Sequence, residues 1–266
     1  MTILYELVDG VAHVRIHRPE KLNSLTLAMY QELGQAFARA QSDPEVRVVL
    51  LTGSGDKAFC VGADLTEAIP ALAEGRFDIS EWDGAHIKQD GFYKPVVAAI
   101  NGLCMGGGFE IMLAADIRVA ADHAEFAFPE ASMGFVPAGG TLVRLTRQIP
   151  FAHAMELMLT GERFEAARLA EMGLLNRVVP AAQLHDVALA YARSIASKGR
   201  VAVEVIKRAA LTLGHLPFGE AFRIEAQLGQ TAFTSPEAKE GLRRFIDRKS
   251  RAPATAAPAQ DAPRTP

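Results

Sequence analysis

The stretch from Lys94 to Asp116 limits what this chain can become more than any other. Val96 to Ile100 is a short unbroken apolar run, the mark of a strand buried on both faces, and Asn101-Gly102 turns it. Gly106, Gly107 and Gly108 then lead into an apolar, alanine-rich segment that reads as a buried helix reaching about Ala115. Three glycines in a row cost conformational entropy, so the pattern implies that something approaches the backbone closely there. The first amides of a helix lack an intrahelical acceptor and sit at the positive end of its dipole. Gly107 would therefore offer an N–H to an anionic oxygen. Glu110, one helical turn on and on the same face, would bring a carboxylate to the same place.

The rest of the chain supplies a setting for that pair. Residues 3–8 and 11–17 are β-prone runs joined at Asp9-Gly10, a hairpin turn signal, and a helix follows from about Thr26 to Ala40 with Leu33, Phe37 and Ala40 on one face. Val46 to Thr52 is a second buried strand. The Gly53-Ser54-Gly55-Asp56-Lys57 turn after it lacks the spacing and the hydroxyl residue of a phosphate loop. Gly62-Ala63 places small residues where backbone can meet a ligand. Between Thr66 and Tyr93 the pattern is weak and broken by glycine, and Trp82 and His86 within it read as packing or surface. Ile117 to Ala120, Glu125 to Phe128 and Arg177 to Pro180 read as strands, with helices at 152–160 and 165–172 and a loop from Pro137 into a helix capped by Thr141. Alternating strands and helices argue for an α/β fold.

Beyond Ala181 the pattern is all helix. Its stripes are Leu184, Ala188, Tyr191 and Ile195; then Val205, Ile206, Ala209 and Leu213; then Phe218, Phe222, Ala226, Gly229 and Phe233; and last Leu242, Phe245 and Ile246 after a Ser235-Pro236-Glu237 helix start. That is more apolar face than a small cap needs, so part of it is expected to meet other subunits. The expected division is a 1–195 core, a 196–250 helical oligomerisation region and a disordered Ala/Pro-rich tail at 251–266. A net charge of -3 with 22% charged residues leaves no footprint for nucleic acid or an anionic membrane. Cys60 and Cys104 read as buried free thiols. No apolar run approaches the roughly 18 residues of a membrane span, and the first residues carry no leader pattern, so a cytoplasmic protein is expected.

Five motifs recur together in order: Gly62-Ala63-Asp64-Leu65, Lys94 to Gly102, Gly106-Gly107-Gly108-Phe109-Glu110, Ala114-Ala115-Asp116 and Phe128-Pro129-Glu130. With this spacing, from about residue 3 to 249, the chain closely resembles the enoyl-CoA hydratase/isomerase (crotonase) family. The resemblance implies a spiral of ββα units with a C-terminal helical region, assembled as a homotrimer or a dimer of trimers. It implies an acyl-CoA substrate of fatty-acid metabolism, with no cofactor beyond the coenzyme A that the substrate carries and no metal.

By the same resemblance the amides of Ala63 and Gly107 would form an oxyanion hole for the thioester carbonyl. Glu110 would activate water and Glu130 would handle the α-proton. Lys21, Leu22, Ala63, Asp64, Leu65, Phe245 and Arg248 match positions that touch coenzyme A in the family. One departure stands out: the glycine pair after Pro137 falls at Gly139-Gly140, one position early, which alters the loop near the acyl chain. The implied activity is reversible hydration of a trans-2-enoyl-CoA to a 3-hydroxyacyl-CoA. A carnitinyl-CoA-type dehydratase, an enoyl-CoA isomerase, and a catalytically idle scaffold serving as a binding module are the alternatives.

Overall fold

Asp9 and Gly10 turn with φ of 50° and 79°, the left-handed pair that a tight hairpin needs, and set β1 (Ile3–Val8) antiparallel to β2 (Val11–Ile16). The structure is a computed structural model that describes residues 2–251; Met1, residues 252–266 and the side chains of 248–251 lie outside the described residues. The expected tail at 251–266 therefore falls outside them, except that the last helix runs through Arg251.

After the hairpin, α1 (Leu27–Ser42) starts at Thr26, whose hydroxyl accepts from the Met29 amide at 3.2 Å. Tyr30, Leu33, Phe37 and Ala40 make its buried stripe. Full burial contributes about 1.5–3 kcal/mol for a side chain such as Leu33 or Phe37, more than helix propensity supplies.

The chain then repeats one unit. β3 (Val48–Gly53) is followed by β4 (Ala58–Cys60) and α2 (Ala68–Ala73). β5 (Val96–Ile100) is followed by β6 (Leu103–Met105) and α3 (Gly107–Leu113). β7 (Ile117–Ala121) is followed by β8 (Glu125–Ala127) and, past a 3-10 turn at Pro129–Met133, by α4 (Thr141–Gln148). Next come α5 (Phe151–Thr160), β9 (Phe164–Glu165), α6 (Ala166–Glu171) and β10 (Arg177–Val179). One sheet has the order β1-β2-β3-β5-β7-β10 and the other β4-β6-β8-β9. Each unit thus gives one strand to each sheet before its helix, and the strands of successive units pair in parallel.

Strand alternation divides the core. Val48, Leu50, Val97, Ala99 and Val119 pack on Leu184, Ala188 and Ala192 of α7 (Leu184–Ala196). Val49, Leu51, Val96, Ala98 and Ile100 face the interior with α1 and α3. Three further helices follow, α8 (Arg200–Thr212), α9 (Phe218–Phe233) and α10 (Pro236–Arg251), the last capped by Ser235, whose hydroxyl accepts from the Ala238 amide. Buried Lys207 of α8 donates to the Asp116 carboxylate at 2.7 Å and the Lys94 carbonyl at 3.0 Å, and Asp116 also accepts from the Val96 amide. This network fixes the start of β5 and gives Asp116 a structural task.

Several local expectations are corrected. Leu103–Met105 and Phe164–Glu165 are strands, paired to distant partners, where the sequence pattern shows none. The glycine helix ends at Leu113 rather than Ala115. Gly140, with φ of 121°, holds the cap position of α4, and Thr141 is its first helical residue. Part of the apolar face of α9 and α10 was expected to be left uncovered by the chain itself, and it is: Phe218 and Phe233 are 83% and 81% exposed, and Leu242, Phe245 and Ile246 more than half. No helix among the described residues is long and apolar enough to cross a membrane.

Candidate active site

Two turns bring the bare amides together. The Leu25 amide donates to the Gly62 carbonyl and the Asp64 amide to the Leu25 carbonyl, both at 2.8 Å. In such a parallel bridge the intervening residue turns its own N–H to the opposite side, so the Ala63 amide faces away from Leu25. Gly62 has a φ of 86°, and a β-carbon there would stand 2.8 Å from the Gly107 nitrogen, so only glycine lets the two turns meet. Gly107 opens α3, where no intrahelical acceptor exists for its N–H. Among the described residues, no oxygen accepts a hydrogen bond from either amide. Arg118 secures the other end of α3 by donating to the Leu113 and Ala115 carbonyls at 2.9 and 3.0 Å.

Ala63, Gly107, Glu110 and Glu130 line one cavity of about 950 Å³, with Ile69, Leu72, Phe77, Ile79, Trp82 and Phe135 making much of its apolar wall. Glu110 is buried, and its Oε1 accepts from the Gly139 amide at 2.7 Å. Burial raises its pKa, with Thr141 and the Gly139 amide pulling the other way. His86 lies 4.0 Å from the other oxygen of Glu110. Its Nδ1 donates to the Trp82 carbonyl, and burial lowers its pKa to about 4, so it is neutral with an unprotonated Nε2 toward Glu110. A β-carbon on Gly139 would stand 2.5 Å from His86 Nε2 and 2.6 Å from Glu110 Oε2, which explains why the glycine pair begins where it does.

Glu130 leaves β8 on the Pro129–Met133 turn, and its Oε2 is buried without a partner. Burial, then the charge of Glu110, raises its pKa to about 7. The folded state therefore holds this proton more tightly than the unfolded chain does. That contribution is full below the ordinary glutamate value of 4.5 and is lost as pH rises through about 7. Glu130→Gln is expected to stabilise the fold at pH 8 by about 1–2 kcal/mol, discounted for partial solvent access, with the difference shrinking toward pH 5. Urea unfolding at both pH values checks this, and a difference independent of pH contradicts it.

The residues expected at coenzyme A divide into groups. Lys21, Ala63, Asp64 and Leu65 line the cavity, Lys21 and Leu65 at its exposed edge. The Asp64 carboxylate is committed to Arg18 at 2.7 Å and to Thr66, which hold its pKa near about 2, so it braces the turn. Leu22 lines a separate small cavity with Ser54 to Ala58. Phe245 lies on α10 and is not among the lining residues; Arg248 is on the same helix, its side chain outside the described residues. Among the described residues no cluster of three or more His, Cys, Asp or Glu could hold a metal ion. Sequence reasoning missed Tyr30; His86, read as packing or surface, is fully buried, and what the sequence did not show is its place 4.0 Å from Glu110. Tyr30 shares the stripe of Leu33 and Phe37, and the one available signal was a phenol hydroxyl on an otherwise apolar face.

The model of the enoyl-CoA hydratase/isomerase family matches residues 6–252. This chain belongs to that family. Enoyl-CoA hydratase EchA19 of Mycobacterium tuberculosis is 39% identical over 252 residues, covering 92% of this chain and 94% of that protein. Carnitinyl-CoA dehydratase of Proteus mirabilis is 35% identical over 246 residues, covering 91% and 94%. The crystal structure of enoyl-CoA hydratase from Bacillus anthracis superimposes with a TM-score of 0.87 at 33% identity, covering 93% of this chain and 97% of that one. The spiral of ββα units is thus the crotonase fold.

Proposed function

We propose that the protein reversibly hydrates a trans-2-enoyl-CoA to a 3-hydroxyacyl-CoA. The observation that carries this reading is one cavity lined by two amides with no acceptor among the described residues, Ala63 and Gly107, and by two carboxyls whose pKa values burial raises, Glu110 and Glu130. Addition of water to C3 of a conjugated thioester moves charge onto the carbonyl oxygen, and preorganised N–H donors stabilise that charge. Glu110, oriented by the Gly139 amide, accepts a proton as the water oxygen bonds to C3. Glu130, protonated below about pH 7, delivers a proton to C2. Dehydration of a 3-hydroxyacyl-CoA is the same path reversed. Lys21 at the cavity edge would meet the coenzyme A phosphates.

We assign the exposed faces of α9 and α10 to self-association as a trimer or a pair of trimers, with those helices as the oligomerisation region. The activity is tested by loss of enone absorbance with crotonyl-CoA and longer enoyl-CoAs. Turnover at one or more chain lengths supports hydration. No turnover above a Glu110→Gln, Glu130→Gln double variant at any length refutes it.

A further inference from the structure

Among the described residues the Tyr30 hydroxyl is one of the buried side-chain polar atoms without a partner, and it has no role in the chemistry above. Tyr30 is 1% exposed, yet it lines the same cavity as Ala63 and Gly107. Its ring is stacked on Trp82 at 4.4 Å with planes 11° apart and lies 5.6 Å from the His86 ring, so the hydroxyl is held in place with only its hydrogen free to turn. The point where a β-carbon of Gly107 would stand is 2.6 Å from the Tyr30 oxygen and 3.7 Å from the Ala63 nitrogen. Phenol, amide and the first residue of α3 therefore converge on one small volume. A buried hydroxyl left unpaired is destabilising, and such groups are retained where a ligand completes them. Burial, with Cys60, Glu110 and Glu130 nearby, raises the phenol pKa well above its usual value, so the group is a donor throughout the working pH range.

We infer that the Tyr30 hydroxyl is a third donor to the thioester oxygen, adding to the amides of Ala63 and Gly107 as enolate charge develops. This rests on the acyl-CoA reading but not on hydration itself. Tyr30→Phe removes one oxygen and keeps the ring that stacks on Trp82. It is expected to lower kcat on crotonyl-CoA by about 10²-fold, the usual effect of losing one oxyanion donor, with KM changed by less than about threefold.

The second readout needs no turnover. Acetoacetyl-CoA bound in the site gives up a C2 proton to a site carboxylate, leaving an enolate with near-ultraviolet absorbance. Wild type is expected to show that band and Tyr30→Phe to lose it or to need about 10²-fold more ligand. Affinity for butyryl-CoA, which forms no enolate, should be unchanged. An equal band in both proteins, or none in wild type, overturns the inference. A fall in kcat or in melting temperature with the band intact also overturns it, because the hydroxyl then serves the glutamates or the packing. Absence of turnover in wild type sinks the hydratase reading alone, and the enolate comparison still decides Tyr30.

Discussion

Replacing either acid by its amide, Glu110→Gln or Glu130→Gln, is expected to reduce kcat for enoyl-CoA hydration by about 10³-fold, within the range that positioned acids and bases contribute. The substitutions keep shape and most of the hydrogen bonding. A glutamine side chain at position 110 would still accept from the Gly139 amide through its carbonyl oxygen, and residue 130 would still leave β8 on the same turn. What is lost is the proton: an amide neither takes one from water nor gives one to C2. Both groups act on one addition, so the double variant is expected to fall no more than about tenfold below the worse single one. Rate against pH separates the two roles. In the hydration direction the wild-type kcat/KM should decline above about pH 7 as Glu130 loses its proton, and Glu130→Gln should lose that limb. Stopped assays across pH check it, and single variants within tenfold of wild type would show that the carboxyls are not the acid and base.

Gly108→Ala is expected to damage fold and activity together. A β-carbon at 108 would stand 2.1 Å from the Cys60 carbonyl oxygen and 2.7 Å from its carbon, so α3 and β4 would have to separate. Those two elements lead to the Gly107 and Ala63 amides. Overpacking against backbone costs about 1–3 kcal/mol, and an ångström-scale misplacement of an oxyanion donor costs about 10²-fold in rate. The expected result is a lowered urea midpoint and, in the fraction that remains folded, kcat down about 10²-fold. A variant as stable and active as wild type would mean that the close approach of α3 to β4 is not what holds the site.

Much of this was legible in the residues. The Asp9-Gly10 hairpin, the buried strand at Val96–Ile100 and the helix opening at Gly107 follow from local turn chemistry and unbroken apolar runs. Gly107 and Glu110 were readable from the glycine-helix pattern, Ala63 and Glu130 as site residues only through the family resemblance, and the structure brings all four to one cavity. Strands of two or three residues, such as β9 and β6, are set by distant pairing and leave no periodic trace. Tyr30 was hidden because a helical stripe shows which residues face inward, not that a hydroxyl at the end of one reaches a cavity. His86 was hidden because nothing local links it to Glu110; the loop at Gly139 does so. The periodicity of α9 and α10 marks an apolar face but cannot say whether the chain itself or a second copy covers it.

The most direct test is a crystal structure of the protein with acetoacetyl-CoA bound. Expected is a thioester oxygen about 2.7–3.1 Å from the nitrogens of both Ala63 and Gly107, with the carboxyls of Glu110 and Glu130 flanking the neighbouring carbons. An oxygen beyond hydrogen-bond reach of either amide, or an acyl chain seated outside the cavity between the two glutamates, would contradict it.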